Sequence, residues 1–272
     1  MALRHLFVFG AALAVAAAVT PAQAQAPAPT TPPVQPAPPA APTAPVPAPA
    51  TPPAATPAPA ATAPAAQPAP SGPAYVVTYF EVAPAASRKA AGLLRQFAAT
   101  TRSENGNVEF LALHEGARPG RYAIVEAWRD KAALDAHGAA MKALAEKLQT
   151  SFASPFDARQ FWTLAVAGTS AGTDMKGAVF VLTHVDVFPA GKEQAAALIK
   201  TQVEDSRKDN GSLRFDAVIQ DNRPNHFHLV EAWANRGAHQ AHALADHTRQ
   251  YRAKLVPLEG ALYDERLYEA LK

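Results

Sequence analysis

An internal repeat constrains the fold of this chain more than any other feature of its sequence. The tetrapeptide Val-Glu-Ala-Trp occurs at residues 125–128 and again, 105 residues later, at residues 230–233. The same offset pairs residues from the first predicted strand to the last predicted helix: Tyr75 with Phe180, Pro84 with Pro189, Arg102 with Arg207, Asn105 with Asn210, Gly106 with Gly211, and His137 with His242. The chain therefore contains two copies of one small domain.

The first 73 residues have a composition that cannot build a hydrophobic core. A basic start, an apolar run over residues 6–19 and small residues around Ala24 are typical of a secretory signal peptide, predicted over residues 1–24. Residues 25–73 consist almost entirely of Pro, Ala and Thr, so this linker is predicted to be disordered, either as a stalk or as passive low-complexity sequence. The protein is expected to be secreted or periplasmic after cleavage near Ala24.

Charge and cysteine content exclude several classes of partner and site. The chain has 25 basic and 23 acidic residues and shows no basic stripe with interleaved aromatic residues, so no nucleic-acid partner is expected. The N-terminal apolar run is shorter than the roughly 20 residues that a membrane-spanning helix needs, and no stable membrane insertion is expected after cleavage. Without cysteine, the chain has neither disulfides nor thiolate metal ligands.

Each copy shows the order strand, helix, strand, strand, helix, strand. The first helix of each copy ends at Asn-Gly, and Asp130 and Asn235 are suitable N-cap residues for the second helices. This order is typical of an α+β, ferredoxin-like unit. Repeat 1 is predicted over residues 74–165 and repeat 2 over residues 178–272, with a connector at residues 166–177.

The antiparallel sheet of such a unit is covered by its helices on one face only. Its second face is apolar, and the sheet of the other copy is the obvious cover. We therefore predict that the two tandem repeats pack sheet against sheet as an intramolecular pseudo-dimer. Whether this pseudo-dimer associates further is left open.

The pattern of residues on the second helix and on the strand before it resembles that of a known family. A strand ends in Glu-x-Trp, and His137 or His242 follows the Trp by nine residues; repeat 2 adds His247 and Tyr251. This arrangement resembles the antibiotic biosynthesis monooxygenase family, which has the dimeric α+β barrel fold. The resemblance implies a monooxygenase that needs no cofactor and oxidises quinol-like or polyphenolic aromatics with O₂, and the predicted signal peptide implies that it is exported.

The resemblance also implies which side chains form the site, and it favours repeat 2. There His247, Tyr251 and His242 are the candidate catalytic residues. The candidate substrate-binding residues in both repeats are Trp233, His184, Glu231, Trp128 and His137. Repeat 1 has Tyr79, Lys142 and Glu146 where repeat 2 has His184, His247 and Tyr251. On a continuous helix, His247 and Tyr251 would point inward together and His242 would lie roughly 140° away from His247.

Two alternatives remain open at the level of sequence. The barrel of a non-catalytic envelope protein could bind a small apolar ligand or haem, and the Trp and His residues could simply be packed, hydrogen-bonded core residues. Two sets of residues have a spacing that could suggest a metal site: His226 with His228 on one strand face, and His239, His242 and Asp246 on one helix face. Neither set has a convincing further ligand, so no metal site is predicted.

Overall fold

The computed structural model describes residues 72–167 and 177–271. Both repeats belong to one structural unit of the chain, residues 64–272. The predicted signal peptide, nearly all of the Pro/Ala-rich segment and most of the connector lie outside the described residues. The predictions for those segments are therefore not tested by the structure.

Repeat 1 has the predicted order of elements. Its strands and helices are β1 (Ala74–Val82), α1 (Ser87–Thr101), β2 (Asn107–His114), β3 (Arg121–Trp128), α2 (Lys131–Leu148) and β4 (Phe152–Ala165). The Asp130 side chain accepts a hydrogen bond of 2.8 Å from the Ala133 N–H, as expected of an N-cap.

Repeat 2 follows the same order with one difference. Its elements are β5 (Val179–Asp186), α3 (Lys192–Ser206), β6 (Ser212–Gln220), β7 (Arg223–Trp233), α4 (Arg236–Ala243), α5 (Asp246–Leu255) and β8 (Asp264–Ala270). The prediction of one continuous second helix is therefore wrong in this repeat. The helix stops at Ala243 and restarts at Asp246, because Ala245 adopts an extended conformation with φ −64° and ψ 148°.

The Asn-Gly turns fix the chain between the first helix and the second strand. Gly106 and Gly211 have φ values of 87° and 82°, in the left-handed region that favours glycine. A Cβ atom on Gly106 would lie 2.5 Å from the Cβ of Ala133, and one on Gly211 would lie 2.6 Å from that of Ala238. The two turns therefore pack directly against the first turn of the following helix.

The eight strands close into one antiparallel barrel, in the order β1-β3-β2-β8-β5-β7-β6-β4. The last strand of each repeat joins the two halves. β4 pairs with β1 of its own repeat along most of its length and with β6 of repeat 2 through Phe161 to Ala165. β8 pairs with β5 and, at its end, with β2 of repeat 1. The predicted intramolecular pseudo-dimer of two ferredoxin-like repeats is confirmed.

The two faces of the sheet form separate cores. The barrel interior is lined in its middle by apolar side chains from both repeats: Val77, Leu111, Leu113, Val125, Phe180, Leu182, Val218 and Val230. On the outside, α1 and α2 cover the strands of repeat 1, and α3 and α5 cover those of repeat 2. No helix among the described residues is long and apolar enough to cross a membrane.

A buried ion network links the repeats at one end of the barrel interior. Arg214 donates to Glu109 of repeat 1 and to Asp216 of repeat 2, both at 2.7 Å. All three side chains are buried, and Asp216 also accepts a hydrogen bond from Arg207. The ionised form of Glu109 therefore depends on Arg214, because burial raises the pKa of this carboxyl and the guanidinium opposes that shift.

Replacing Arg214 should destabilise the whole barrel. Arg214→Ala leaves Glu109 buried without its partner, and we expect the free energy of unfolding to fall by about 3 kcal/mol in denaturant titrations. The control is Arg118→Ala, which removes an exposed partner of Glu115 and should cost less than about 1 kcal/mol. Equal losses in the two variants would contradict the account of the buried network.

Candidate functional site

Repeat 1 holds a buried Trp, Glu and His in contact on the helix-facing side of the sheet. The Trp128 indole N–H donates to Glu126 at 2.9 Å. The Trp128 ring lies 4.6 Å from that of His137, with the two planes 31° apart. His137 comes from α2 and the other two residues from β3, so the group ties this helix to the sheet.

An acidic residue orients the imidazole of His137. Its Nδ1 lies 2.8 Å from the Glu104 carboxylate, which follows α1. The Nδ1–H therefore donates to Glu104, which leaves Nε2 as the acceptor. Nε2 lies 3.5 Å from Glu126, too far for a strong hydrogen bond, and it is a buried atom without a hydrogen-bond partner.

The charge state of Glu126 is set mainly by burial. Burial raises the pKa of this carboxyl, while the hydrogen bond from Trp128 and the neighbouring His137 imidazole lower it in part. The carboxyl is therefore closer to neutral than an exposed glutamate.

A cavity of about 360 Å³ lies between α2 and the strands β1, β3 and β4. Its lining is partly apolar: Val76, Leu134, Met141, Ala145, Phe156 and Ala158. The polar groups include Glu126, His137 and Thr78, whose buried hydroxyl has no hydrogen-bond partner. Lys142 and Asp135 are exposed residues of the lining. This size and mixture are typical of a pocket for a small organic molecule.

Repeat 2 contains the same group with an aspartate in place of Glu104. The Trp233 N–H donates to Glu231 at 2.9 Å, and the Trp233 ring stacks on His242 at 4.5 Å. Asp209 lies 2.7 Å from His242 Nδ1. Burial raises the pKa of Glu231 to about 8, although the hydrogen bond from Trp233 lowers it in part. Burial also lowers the pKa of His242, and Asp209 opposes this shift.

The positions that line the repeat 1 cavity carry larger or charged side chains in repeat 2. His239, Tyr263 and Glu265 stand at the positions of Leu134, Phe156 and Ala158. His239 lies 3.3 Å from Glu265, and the Arg252 guanidinium stacks on the Tyr263 ring at 3.1 Å. Tyr251 is buried beside this group. In repeat 2 these side chains pack in the region that corresponds to the cavity.

The break between α4 and α5 changes the predicted arrangement of the candidate catalytic residues. His242 was expected at the edge, but it is buried and its ring lies 5.6 Å from that of His247. His247 is the more exposed of the two, and its Nε2 lies 3.3 Å from Asp209. Tyr251 does point inward, as expected. The predicted inward pair of His247 and Tyr251 is therefore replaced by a pair of histidines that share one carboxylate.

His184 lies in a different place from the other predicted site residues. It points into the barrel, at the end opposite the Arg214 network, where its Nδ1 lies 3.0 Å from His226. His228 is fully buried beside it and bonds the Tyr79 hydroxyl at 2.7 Å. We call Tyr79, His184, His226 and His228 the histidine cluster. It is separated by the sheet from Trp233 and His242, so the structure does not bring His184 into their site.

Two acidic residues of the site were missed in the sequence analysis. Glu104 and Asp209 each precede the Asn-Gly turn, at equivalent positions of the two repeats. That repeated acid was the available signal. Within the described residues, one group of three potential metal ligands has donor atoms within 4.8 Å of one another, and it consists of Asp209, His242 and His247.

The chain belongs to the antibiotic biosynthesis monooxygenase family, which it matches over residues 73–145 and 178–254. The two matched segments cover more than half of the chain and fall in the two repeats. The family resemblance expected from the sequence is thus confirmed. Membership in this family suggests a small-molecule substrate.

Solved structures show the same fold across both repeats. A candidate monooxygenase from Fusobacterium nucleatum is similar with a TM-score of 0.66 at 18% identity, over 74% of this chain and 94% of that chain. One from Lactobacillus acidophilus has a TM-score of 0.62 at 17% identity, over 74% and 95%. An anthrone oxidase-like protein has a TM-score of 0.56 at 12% identity, over 74% and 92%. At these identities the likeness shows the fold alone.

A sequence relative covers one repeat's length. An uncharacterized protein of Synechocystis is 27% identical over 103 residues, which is 37% of this chain and 70% of that protein.

The histidine cluster should make stability sensitive to acid. Burial, reinforced by His226, lowers the pKa of His184 to about 4, against an ordinary value of 6.5. Between these two pH values the unfolded chain binds a proton that the folded chain does not, so acidification disfavours the folded state. Between pH 7 and pH 4.5, His184→Gln should therefore lose about 2 kcal/mol less unfolding free energy than the wild type. Parallel pH profiles would contradict this assignment.

Proposed function

We propose that this protein is an exported monooxygenase that oxidises a small, electron-rich aromatic molecule of the quinol type. The substrate binds in the repeat 1 cavity. Family membership supports the reaction class, and the N-terminal sequence supports export. The observation that carries the proposal is the cavity of about 360 Å³, which combines an apolar lining with the buried, unpartnered His137 Nε2 and Thr78 hydroxyl.

His137 is placed to act as the base. A phenolic hydroxyl in the cavity donates to Nε2, since Nδ1 is already committed to Glu104 at 2.8 Å. When Nε2 takes the proton, Glu104 stabilises the imidazolium, as a carboxylate does for a catalytic histidine. Glu126 and Thr78 offer further hydrogen bonds, and the Trp128 ring restricts the imidazole plane.

The aromatic anion then supplies the electrons for O₂. A hydroquinone and O₂ give a hydroxyquinone and water. One oxygen atom replaces a ring hydrogen as a hydroxyl group, the hydroquinone becomes a quinone, and the second oxygen atom leaves as water with two hydrogens. Four electrons pass from the ring to O₂, so the reaction needs no further reductant.

This proposal places the substrate in repeat 1, whereas the sequence favoured repeat 2. The reason is steric. His239, Tyr263 and Glu265 pack in repeat 2 where repeat 1 has its cavity, and Tyr251 is buried beside them. The base, the carboxylate and the indole are present in both repeats, so the space beside them is what distinguishes the two.

The test of this function is oxygen consumption with a panel of hydroquinones and anthrones in the presence of a chelator. We expect uptake above the autoxidation rate with at least one compound, and we expect His137→Gln to slow it roughly 10²- to 10⁴-fold, the range typical of a lost general base. Thermal melts establish that the variant is folded. His114→Gln, at a partly exposed histidine on β2, serves as the control that keeps full activity.

The equivalent substitution in repeat 2, His242→Gln, shows which repeat holds the substrate site. A greater loss of activity in His242→Gln than in His137→Gln would move the substrate site to repeat 2. If the aromatic binds under anaerobic conditions but no oxygen is consumed when air is admitted, the chain is a binding protein. That result would refute the monooxygenase proposal.

A further inference from the structure

We propose that Asp209, His242 and His247 form a binding site for a divalent first-row transition-metal ion, such as zinc. One ligand atom from each residue lies within 4.8 Å of the other two. His242 Nδ1 and His247 Nε2 face the same oxygen of Asp209, at 2.7 Å and 3.3 Å. The site lies on the helix side of repeat 2.

The donor set also has the chemistry to hold such an ion. Two imidazole nitrogens and a carboxylate are ligands that zinc and its neighbours accept at about 2.0–2.2 Å, which places neighbouring ligand atoms roughly 3.3 Å apart. The Asp209–His247 separation already has this value, and the Asp209–His242 pair would need to open by several tenths of an ångström. His247 Nε2 is a buried atom without a hydrogen-bond partner, so one donor of the set is still unsatisfied.

The helix break is what brings the two histidines together. His242 and His247 are five residues apart, and on an unbroken helix they would point roughly 140° away from each other. The extended conformation at Ala245 interrupts the helix between them, and their rings lie 5.6 Å apart. The irregularity of repeat 2 thus creates the only such three-ligand group among the described residues.

Repeat 1 provides an internal comparison. It keeps the first two positions, as Glu104 and His137, with a separation of 2.8 Å. Lys142 replaces His247, and α2 runs without a break from Lys131 to Leu148. An ammonium group is not a metal ligand at neutral pH, so repeat 1 lacks the third donor. The proposed metal site is thus specific to repeat 2 and is separate from the proposed substrate cavity.

Three protein ligands leave coordination positions for water or for a small ligand, as in metal sites that are not purely structural. The side chains of His247 and Asp209 are about one-quarter exposed, so the group lies close to the protein surface. His242 is held from behind by the stacked Trp233 ring at 4.5 Å. This packing fixes the orientation of one ligand before the ion arrives.

The test is titration of the full chain, stripped with a chelator, with zinc chloride in a calorimeter and with cobalt chloride in a spectrophotometer. We expect one ion to bind per chain, and the cobalt form to show the visible absorption of a four- or five-coordinate centre. His247→Lys, which copies repeat 1, and Asp209→Asn should each weaken binding by more than about 100-fold. Circular dichroism verifies that both variants are folded.

Lys142→Ala, the matched change in repeat 1, should leave the zinc affinity unchanged. Undiminished binding in both His247→Lys and Asp209→Asn would assign the ion to other histidines and overturn the proposal. So would the absence of binding to the wild-type chain. Because the readout is metal binding, it is independent of the oxygen-uptake result for the repeat 1 cavity.

Discussion

The structure depends on two strand pairings between the repeats. β4 of repeat 1 pairs with β6 of repeat 2, and β8 of repeat 2 pairs with β2 of repeat 1. Each repeat alone would leave one apolar face of its sheet uncovered and its strand edges free to pair elsewhere. The pairing of β4 with β6 and of β8 with β2 closes the eight strands into one barrel. The sheet faces then bury each other, and the outer faces remain for the helices and for the sites that lie beneath them.

The fold could be predicted because each repeat contains local sequence signals for its own helices, turns and strands. A constant offset identified the two copies, the position of Asn-Gly marked the ends of α1 and α3, and alternation along β5 separated Phe180 and Leu182, which face the barrel, from Val181 and Val185, which face the helices. These signals are local or depend on a simple period. Barrel closure followed from the need to bury a second apolar face.

The candidate site was less predictable because its contacts are not local. Trp128, Glu126 and His137 were recognised from the strand end and the helix, whereas Glu104 lies 33 residues from the histidine that it orients. His184 lies on the same face of β5 as Phe180 and Leu182, and the sequence alone did not show that this face lines the barrel interior. The break at Ala245 has no proline or glycine to announce it, so the meeting of His242 with His247 could be seen only in the structure.

The two copies have kept one arrangement and changed what surrounds it. Both have an indole, a carboxylic acid and an imidazole in contact, with a second acid on the imidazole Nδ1. Repeat 1 keeps space beside this group, and repeat 2 fills that space and adds His247. We propose that the space in repeat 1 binds an aromatic substrate and that the added His247 in repeat 2 completes a metal site.

The most direct test of the shared barrel is native-state hydrogen exchange, because strands of two repeats that close a single barrel should open together. The slowest amides of β3 and β7 should exchange with the same opening free energy and the same dependence on denaturant, as parts of one cooperative unit. If β7 opened at a free energy lower than that of β3 by more than about 2 kcal/mol, or the reverse, the repeats would be independent domains. That result would contradict the central claim.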